Sequence, residues 1–136
     1  MTTLRRNTID LHTHTARSDG VVEPLELYEQ MRTWGSTLVA VTDHDTLAGA
    51  REMLAAGLGA PGTTGPRIIV GVEINTMVDE EIEAVGGDEE RLGELHLLGL
   101  GVEPEDPTLA GVLERQRGAR EHRLALTVER VAFITR

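Results

Sequence analysis

The stretch "IDLHTHTARSDG", residues 9–20, ends a short apolar run with two histidines one residue apart. Because residues two apart on a strand point to the same face, His12 and His14 can bind one cation together. Asp19 follows in a turn that ends at Gly20 and can reach back to the same edge. Mixed imidazole and carboxylate ligands suit zinc, manganese or iron rather than calcium. The stretch therefore predicts a metal site at the end of the first strand.

Strand and helix patterns alternate along the rest of the chain. They predict strands over 8–12, 37–41, 67–74 and 95–102, and helices over 22–35, 47–59 and about 109–132. Pro24 and Gly35 suit the start and the end of the first helix, and Asp45 or Thr46 is expected to cap the second. This alternation is typical of parallel βα units, so we predict an α/β fold.

Polar residues recur where the apolar strands end. "TDHDT" places Asp43 and His44 after the second strand, Glu73 ends the third, and His96 lies in the fourth. Catalytic groups of α/β proteins collect at the carboxyl ends of strands, so we expect these side chains near the first histidine pair. A carboxylate after an apolar strand is costly unless it is paired or coordinated, and its two oxygens can bridge two metals. Taken singly, "TDHDT" also suits a capped helix start, and His96 also suits a core histidine.

Composition excludes several classes of protein. The net charge of −10 argues against sequence-independent binding to a nucleic acid backbone. There are only three aromatic residues, which argues against a surface on which bases stack. Without cysteine there is no disulfide, thiolate zinc site or cysteine nucleophile. All 13 basic residues are arginine, so Schiff-base chemistry and a phosphate-loop lysine are excluded. No apolar run approaches the length of a membrane span, so we expect a cytoplasmic protein without a membrane partner.

Two segments have a strong charge bias. Residues 79–94 hold eight acidic residues and one arginine, which predicts a solvated loop insertion. Residues 115–136, at the end of the predicted final helix, carry six arginines against two glutamates. We expect residues 1–136 to form a single domain, a usual size for one hydrophobic core.

Four ordered motifs, "DLHTHTARSDG", "TDHDT", "GVEI" and "LHLLGLG", resemble the PHP (polymerase and histidinol phosphatase) family of metal-dependent phosphoesterases. The resemblance runs from about residue 8 to residue 130. It is strongest to the subgroup that removes phosphate from nucleoside 3′,5′-bisphosphates and AMP-like nucleotides, some members of which trim RNA from the 5′ end. It implies that the parallel βα units form part of a distorted (β/α)7 barrel with up to three divalent ions, manganese, zinc or iron.

The resemblance also implies a set of metal ligands. They are His12, His14, Asp19, His44, Glu73 and His96. His12, His14 and Glu73 would act in catalysis through a hydroxide bridged by the metals, which attacks phosphorus. Asp43 would orient one of these ligands without contacting the metal itself.

An arginine-bearing helix follows the fourth motif in the family and contributes to phosphate binding. "RGAREHR" occupies that place, which makes Arg120 and Arg123 the candidates, with Arg117 less favoured. A guanidinium suits phosphate because it donates two hydrogen bonds in a fork. His122 is expected to be an exposed surface histidine.

The sequence also departs from the family pattern. Family members are longer and supply one further ligand to each metal, so six of nine expected ligands are present. We expect a fragment of a longer enzyme whose C-terminal half completes the site. The alternatives are a short form completed by a second subunit, and a metal-binding remnant without catalysis. Unpaired strand edges invite association, so we predict that the isolated chain dimerises or pairs with another segment.

The predicted activity is hydrolysis of phosphate monoesters of small nucleotides. The alternative within the family is a 5′-3′ exoribonuclease acting on short RNA. A PHP module of a DNA polymerase would need polymerase sequence, of which there is none here. C–N bond hydrolysis, as in amidohydrolases that carry His-x-His, is disfavoured because those enzymes often bridge their metals with a modified lysine.

Overall fold

The computed structural model describes residues 8–77 and 94–134. Its elements are β1 (Thr8–Thr13), α1 (Pro24–Trp34), β2 (Ser36–Val41), α2 (Ala48–Ala55), β3 (Arg67–Met77), β4 (Glu94–Leu100) and α3 (Pro107–Ile134). This order confirms the predicted alternation. The chain divides into two compact units, 1–104 and 105–136. The predicted acidic loop, 79–94, lies outside the described residues apart from its last position, and the single domain stays a prediction.

The four strands form one sheet in the order β1-β2-β3-β4. β1 and β2 are parallel, and β2 pairs in parallel with the first part of β3, residues 67–70. The second part of β3, residues 71–77, pairs antiparallel with β4. The parallel βα units are confirmed for the first three strands, whereas the direction of β4 was not predicted. The sheet and its helices are consistent with part of a PHP barrel.

β3 is three residues longer than the sequence pattern predicted. We placed its end at residue 74, but pairing with β4 continues it to Met77. Glu73 therefore lies inside the strand and is paired with Leu98, instead of ending it. Strand pairing lets the chain stay extended through residues that a local apolar pattern does not mark.

The hydrophobic core lies between the sheet and the first two helices. Its buried members are Leu27, Tyr28 and Met31 of α1, Val39 and Val41 of β2, and Ala50 and Met53 of α2. Each large apolar side chain removed from water contributes about 1.5–3 kcal/mol. This packing fixes α1 and α2 against the strands whose ends carry the polar motifs.

The predicted helix boundaries hold for α1 but not for α2. Pro24 occupies the first turn of α1, and Gly35 ends the helix in the left-handed conformation, φ 82°. Leu47 precedes α2, and the Thr46 hydroxyl accepts a hydrogen bond from the N–H of Ala48, the first helical residue, at 3.2 Å, so Thr46 has the expected capping role. The Asp45 carboxylate bonds to β3 instead, so a long-range partner replaces the local one.

α3 begins at Pro107, two residues before the predicted start. Proline suits this position because the N–H groups of the first helical residues have no acceptor within the helix, so the missing N–H of proline costs no hydrogen bond. The Asp106 carboxylate accepts hydrogen bonds from the N–H groups of Leu109 (3.2 Å) and Thr108 (2.7 Å). These bonds lower the pKa of Asp106. Among the described residues, no helix combines the length and apolar character that crossing a membrane requires.

Candidate metal centre

Glu73 stands at the centre of four histidines. Its Oε2 accepts a hydrogen bond from His12 Nε2 at 2.7 Å and lies 2.9 Å from His14 Nε2. Its Oε1 bonds to His96 Nδ1 at 2.7 Å, and His44 Nε2 lies 3.7 Å from Oε2. The carboxylate is 6% exposed, which is tolerable for a charged group only with such partners. One buried carboxylate thus joins residues from the first, third and fourth strands and from the turn after β2.

Asp19 forms a second cluster beside the first. Its Oδ1 lies 2.9 Å from His14 Nδ1, and its Oδ2 lies 3.5 Å from His44 Nε2. His14 Nδ1 is buried and makes no hydrogen bond, so the contact with Asp19 lacks hydrogen-bond geometry. A close nitrogen and oxygen without a hydrogen bond between them are suited to binding a shared cation.

The six predicted ligands form three overlapping groups. These are His12, His14 and Glu73; His14, Asp19 and His44; and His44, Glu73 and His96. Within each group the ligand atoms lie within 4.8 Å of one another. Imidazole nitrogens with carboxylate oxygens form a donor set that fits zinc, manganese or iron. The structure thus brings together every predicted ligand, and metal binding itself stays a prediction.

The histidines also shape the acidity of both carboxylates. Burial raises the pKa of Glu73, but the hydrogen bonds from His12 and His96 more than offset it, so the pKa is lowered overall. Burial likewise raises the pKa of Asp19, but the electrostatic interactions with His44 and His14 more than offset it, so this pKa is lowered as well. Both groups are therefore held as carboxylates, the form that binds a cation.

Asp43 holds the turn that carries Asp19. Its carboxylate, 1% exposed, accepts hydrogen bonds from the Thr15 N–H (2.7 Å), the Thr15 hydroxyl (2.8 Å) and the Ser18 hydroxyl (2.7 Å). We predicted that Asp43 orients a ligand; its partners Thr15 and Ser18 adjoin His14 and Asp19, and the orienting role itself stays a prediction. The roles of Thr15 and Ser18 were missed, although both hydroxyls lie within the first motif.

The arginine predictions concern α3, which belongs to the second compact unit. Arg117 pairs with Glu114 one turn earlier in the helix. Arg120 is partly buried, and the side chain of Arg123 lies outside the described residues. Phosphate binding by these arginines therefore stays a prediction. His122 is exposed, as expected.

The comparisons with known proteins agree on one family. The family model for the PHP domain matches residues 10–131. The chain is 34% identical over 114 residues to a 5′-3′ exoribonuclease from Haemophilus influenzae, covering 84% of this chain and 36% of that protein. It is 31% identical over 115 residues to a 3′,5′-nucleoside bisphosphate phosphatase from Chromobacterium violaceum, covering 85% and 35%.

Solved structures show the same relationship. A structure from Bifidobacterium adolescentis, described as a metal-dependent phosphoesterase, matches with a TM-score of 0.67 and 30% identity. The match covers 91% of this chain and 38% of that one. The chain thus spans little more than a third of the length of the relatives it matches.

Proposed function

The chain belongs to the PHP domain family, and we propose that it is a metal-dependent phosphoesterase acting on phosphate monoesters of small nucleotides. The observation that carries the proposal is the convergence of six ligand-type side chains, four histidines with Glu73 and Asp19. Titratable side chains brought together from separate segments in this way are typical of functional sites. Its relatives include a nucleoside bisphosphate phosphatase and exoribonucleases, so phosphate esters of nucleotides are the substrate class.

Bound divalent ions would polarise the phosphate oxygens and acidify water for attack on phosphorus. His12 and His14 would hold the first ion, and Glu73 would be shared between the first and the second. His96 would complete the share of the second site that this chain supplies. Asp19 and His44 would hold the third ion, with Asp43 keeping the turn of Asp19 in place.

A small substrate fits the charge of the chain better than a long polymer. The net charge of −10 opposes a sequence-independent grip on a nucleic acid backbone. Cations at the site would reverse this field locally and attract a compact phosphate. Arg120 and Arg123, with Arg117 less favoured, would neutralise phosphate charge. Short RNA is the second candidate substrate, supported by the exoribonuclease relatives.

The test is manganese-dependent phosphate release from a nucleoside 3′,5′-bisphosphate by the 136-residue chain. His14→Ala should lower release by orders of magnitude, because His14 contributes to two ligand groups. The matched control is His122→Ala, which removes an exposed histidine of α3 outside those groups. Release that survives His14→Ala would refute the assignment. Tight manganese binding without release would favour the non-catalytic remnant.

We also propose that the chain associates with a second copy or with another PHP segment. Large apolar residues are exposed on both edge strands, among them Ile9 (62%) of β1 and Leu95 and Leu97 (57% each) of β4. Exposed apolar edge strands are prone to pairing. A monomeric mass in solution scattering would contradict association with a second copy.

A further inference from the structure

Two buried carboxylates flank His44 in the chain, and each bonds to a different segment. Asp43 holds the turn of Asp19, as described above. Asp45, which is 1% exposed, accepts hydrogen bonds from the backbone N–H and from the side-chain Nδ2 of Asn75, both at 3.1 Å. Asn75 lies two residues after Glu73 and so on the same face of β3. The second carboxylate therefore anchors the strand that carries Glu73.

The backbone continues this link. The Asp45 N–H donates to the Glu73 carbonyl at 3.0 Å, and the Glu73 N–H donates to the Asp43 carbonyl at 3.2 Å. His44 and Glu73 form a parallel bridge beyond the end of β2. Residues 43–45 thus extend the pairing of β2 with β3 past Val41, where the strand ends.

The conformation of Asp45 is unusual. Its φ is 53°, the only positive φ of a residue other than glycine in the described part of the chain. Residues other than glycine seldom adopt a positive φ, although aspartate and asparagine do so more often than most. Such a conformation persists where surrounding bonds fix it, and it occurs often at functional sites.

We propose that Asp45 is a positioning residue. Its carboxylate, acting through Asn75, fixes the spacing between His44 and Glu73, whose Nε2 and Oε2 atoms lie 3.7 Å apart. His44 and Glu73 lie together in one ligand group, and each of them also belongs to a second group. The proposal rests on the proposed function, since the spacing matters most when the groups bind cations.

The structure suggests a swap that separates this role from general stability. Asn75→Asp would set two carboxylates against each other and break the link. Asp45→Asn combined with Asn75→Asp restores one amide and one carboxylate, with asparagine tolerated at a positive φ. The matched control is Val39→Ala, a truncation in β2 within the hydrophobic core, to which neither residue belongs. If Asn75→Asp does not fold, Asn75→Ala removes the side-chain amide without adding charge.

The first measurement uses the metal-free chain. The ring signals of His44 in proton–carbon spectra should shift in Asn75→Asp, return in the swapped pair and stay in place in Val39→Ala. Unchanged signals in Asn75→Asp, or a swapped pair that does not restore them, would overturn the proposal. Because no metal is present, this result does not depend on the proposed function.

The second measurement is calorimetric titration with manganese alone. Asn75→Asp should weaken binding about tenfold or more, the usual cost of losing a residue that orients a ligand. An added carboxylate would by itself attract the cation, so weaker binding points to lost positioning. The swapped pair should recover the wild-type affinity, and binding by Asn75→Asp at full strength would overturn the proposal. A wild-type chain that binds no manganese would instead overturn the proposed function.

Discussion

Replacing Gly49 by alanine tests how tightly the Asp43 network is packed. A Cβ at Gly49 would lie 2.2 Å from Asp43 Oδ2 and 2.6 Å from Thr15 Oγ1, whereas ordinary contact begins at 3.4 Å. The carboxylate would have to move by about 1 Å, although three hydrogen bonds of 2.7–2.8 Å hold it.

Two effects of opposite sign then compete. Alanine is a better helix former than glycine, which would stabilise α2 by about 1 kcal/mol. Each hydrogen bond to a charged group contributes about 1.5–3 kcal/mol, so losing one or two costs about 1.5–6 kcal/mol. The displacement of Asp43 should outweigh the gain in helix propensity, and Gly49→Ala should lower the free energy of unfolding by about 0.5–5 kcal/mol.

Urea denaturation followed by circular dichroism measures this difference. The control is Gly118→Ala in α3, where a Cβ meets nothing within 4 Å. It should stabilise α3 by about 0.5–1 kcal/mol, since only helix propensity changes. In a double-mutant cycle with Asp43→Ala, the two losses should be less than additive, because the methyl group then has space. A Gly49→Ala chain as stable as the wild type would refute the reasoning.

Three further predictions follow from individual contacts. The Tyr28 hydroxyl is buried without a partner among the described residues, so Tyr28→Phe should leave the urea midpoint unchanged or raise it. Asp106→Ala should reduce the helicity measured by circular dichroism. Hydrogen bonding lowers the pKa of Asp106 below 3.8 in the folded chain, so the carboxylate stabilises α3 fully above pH 3.8. This stabilisation is lost as the pH falls through the lowered pKa of the folded state. In an NMR titration of the metal-free chain, Glu73 should titrate below its ordinary 4.5, because hydrogen bonds from histidine outweigh burial; a midpoint above 4.5 would contradict the site geometry.

The local patterns of the sequence were sufficient for the elements, whereas the ligand set was implied by the resemblance that the four motifs carry. The spacing of apolar residues placed the strands and helices, and Pro24 and Gly35 marked α1. The four motifs named all six side chains that the structure brings together. The elements and the motifs each depend on a few neighbouring residues, which is why they could be predicted without a structure.

The remaining features depend on partners far along the chain. Apolar alternation marks β4 as a strand but carries no sign of its direction, so its antiparallel pairing was not predicted. Asp45 resembled a helix cap, yet its partner is Asn75, thirty residues away. No local pattern distinguishes an aspartate that caps a helix from one that anchors a distant strand.

The position of Glu73 has a further consequence for the sheet itself. His12 belongs to β1 and His96 to β4, the two outer strands of the sheet, yet both bond to this one carboxylate at 2.7 Å. Neighbouring strands lie about 4.8 Å apart, so a flat sheet would keep β1 and β4 roughly 14 Å from each other. The bonds of this carboxylate therefore link the two edge strands of the sheet through β3. A change in the curvature of the sheet would therefore change the distances within the site, and loss of these bonds would remove a link between the two edge strands.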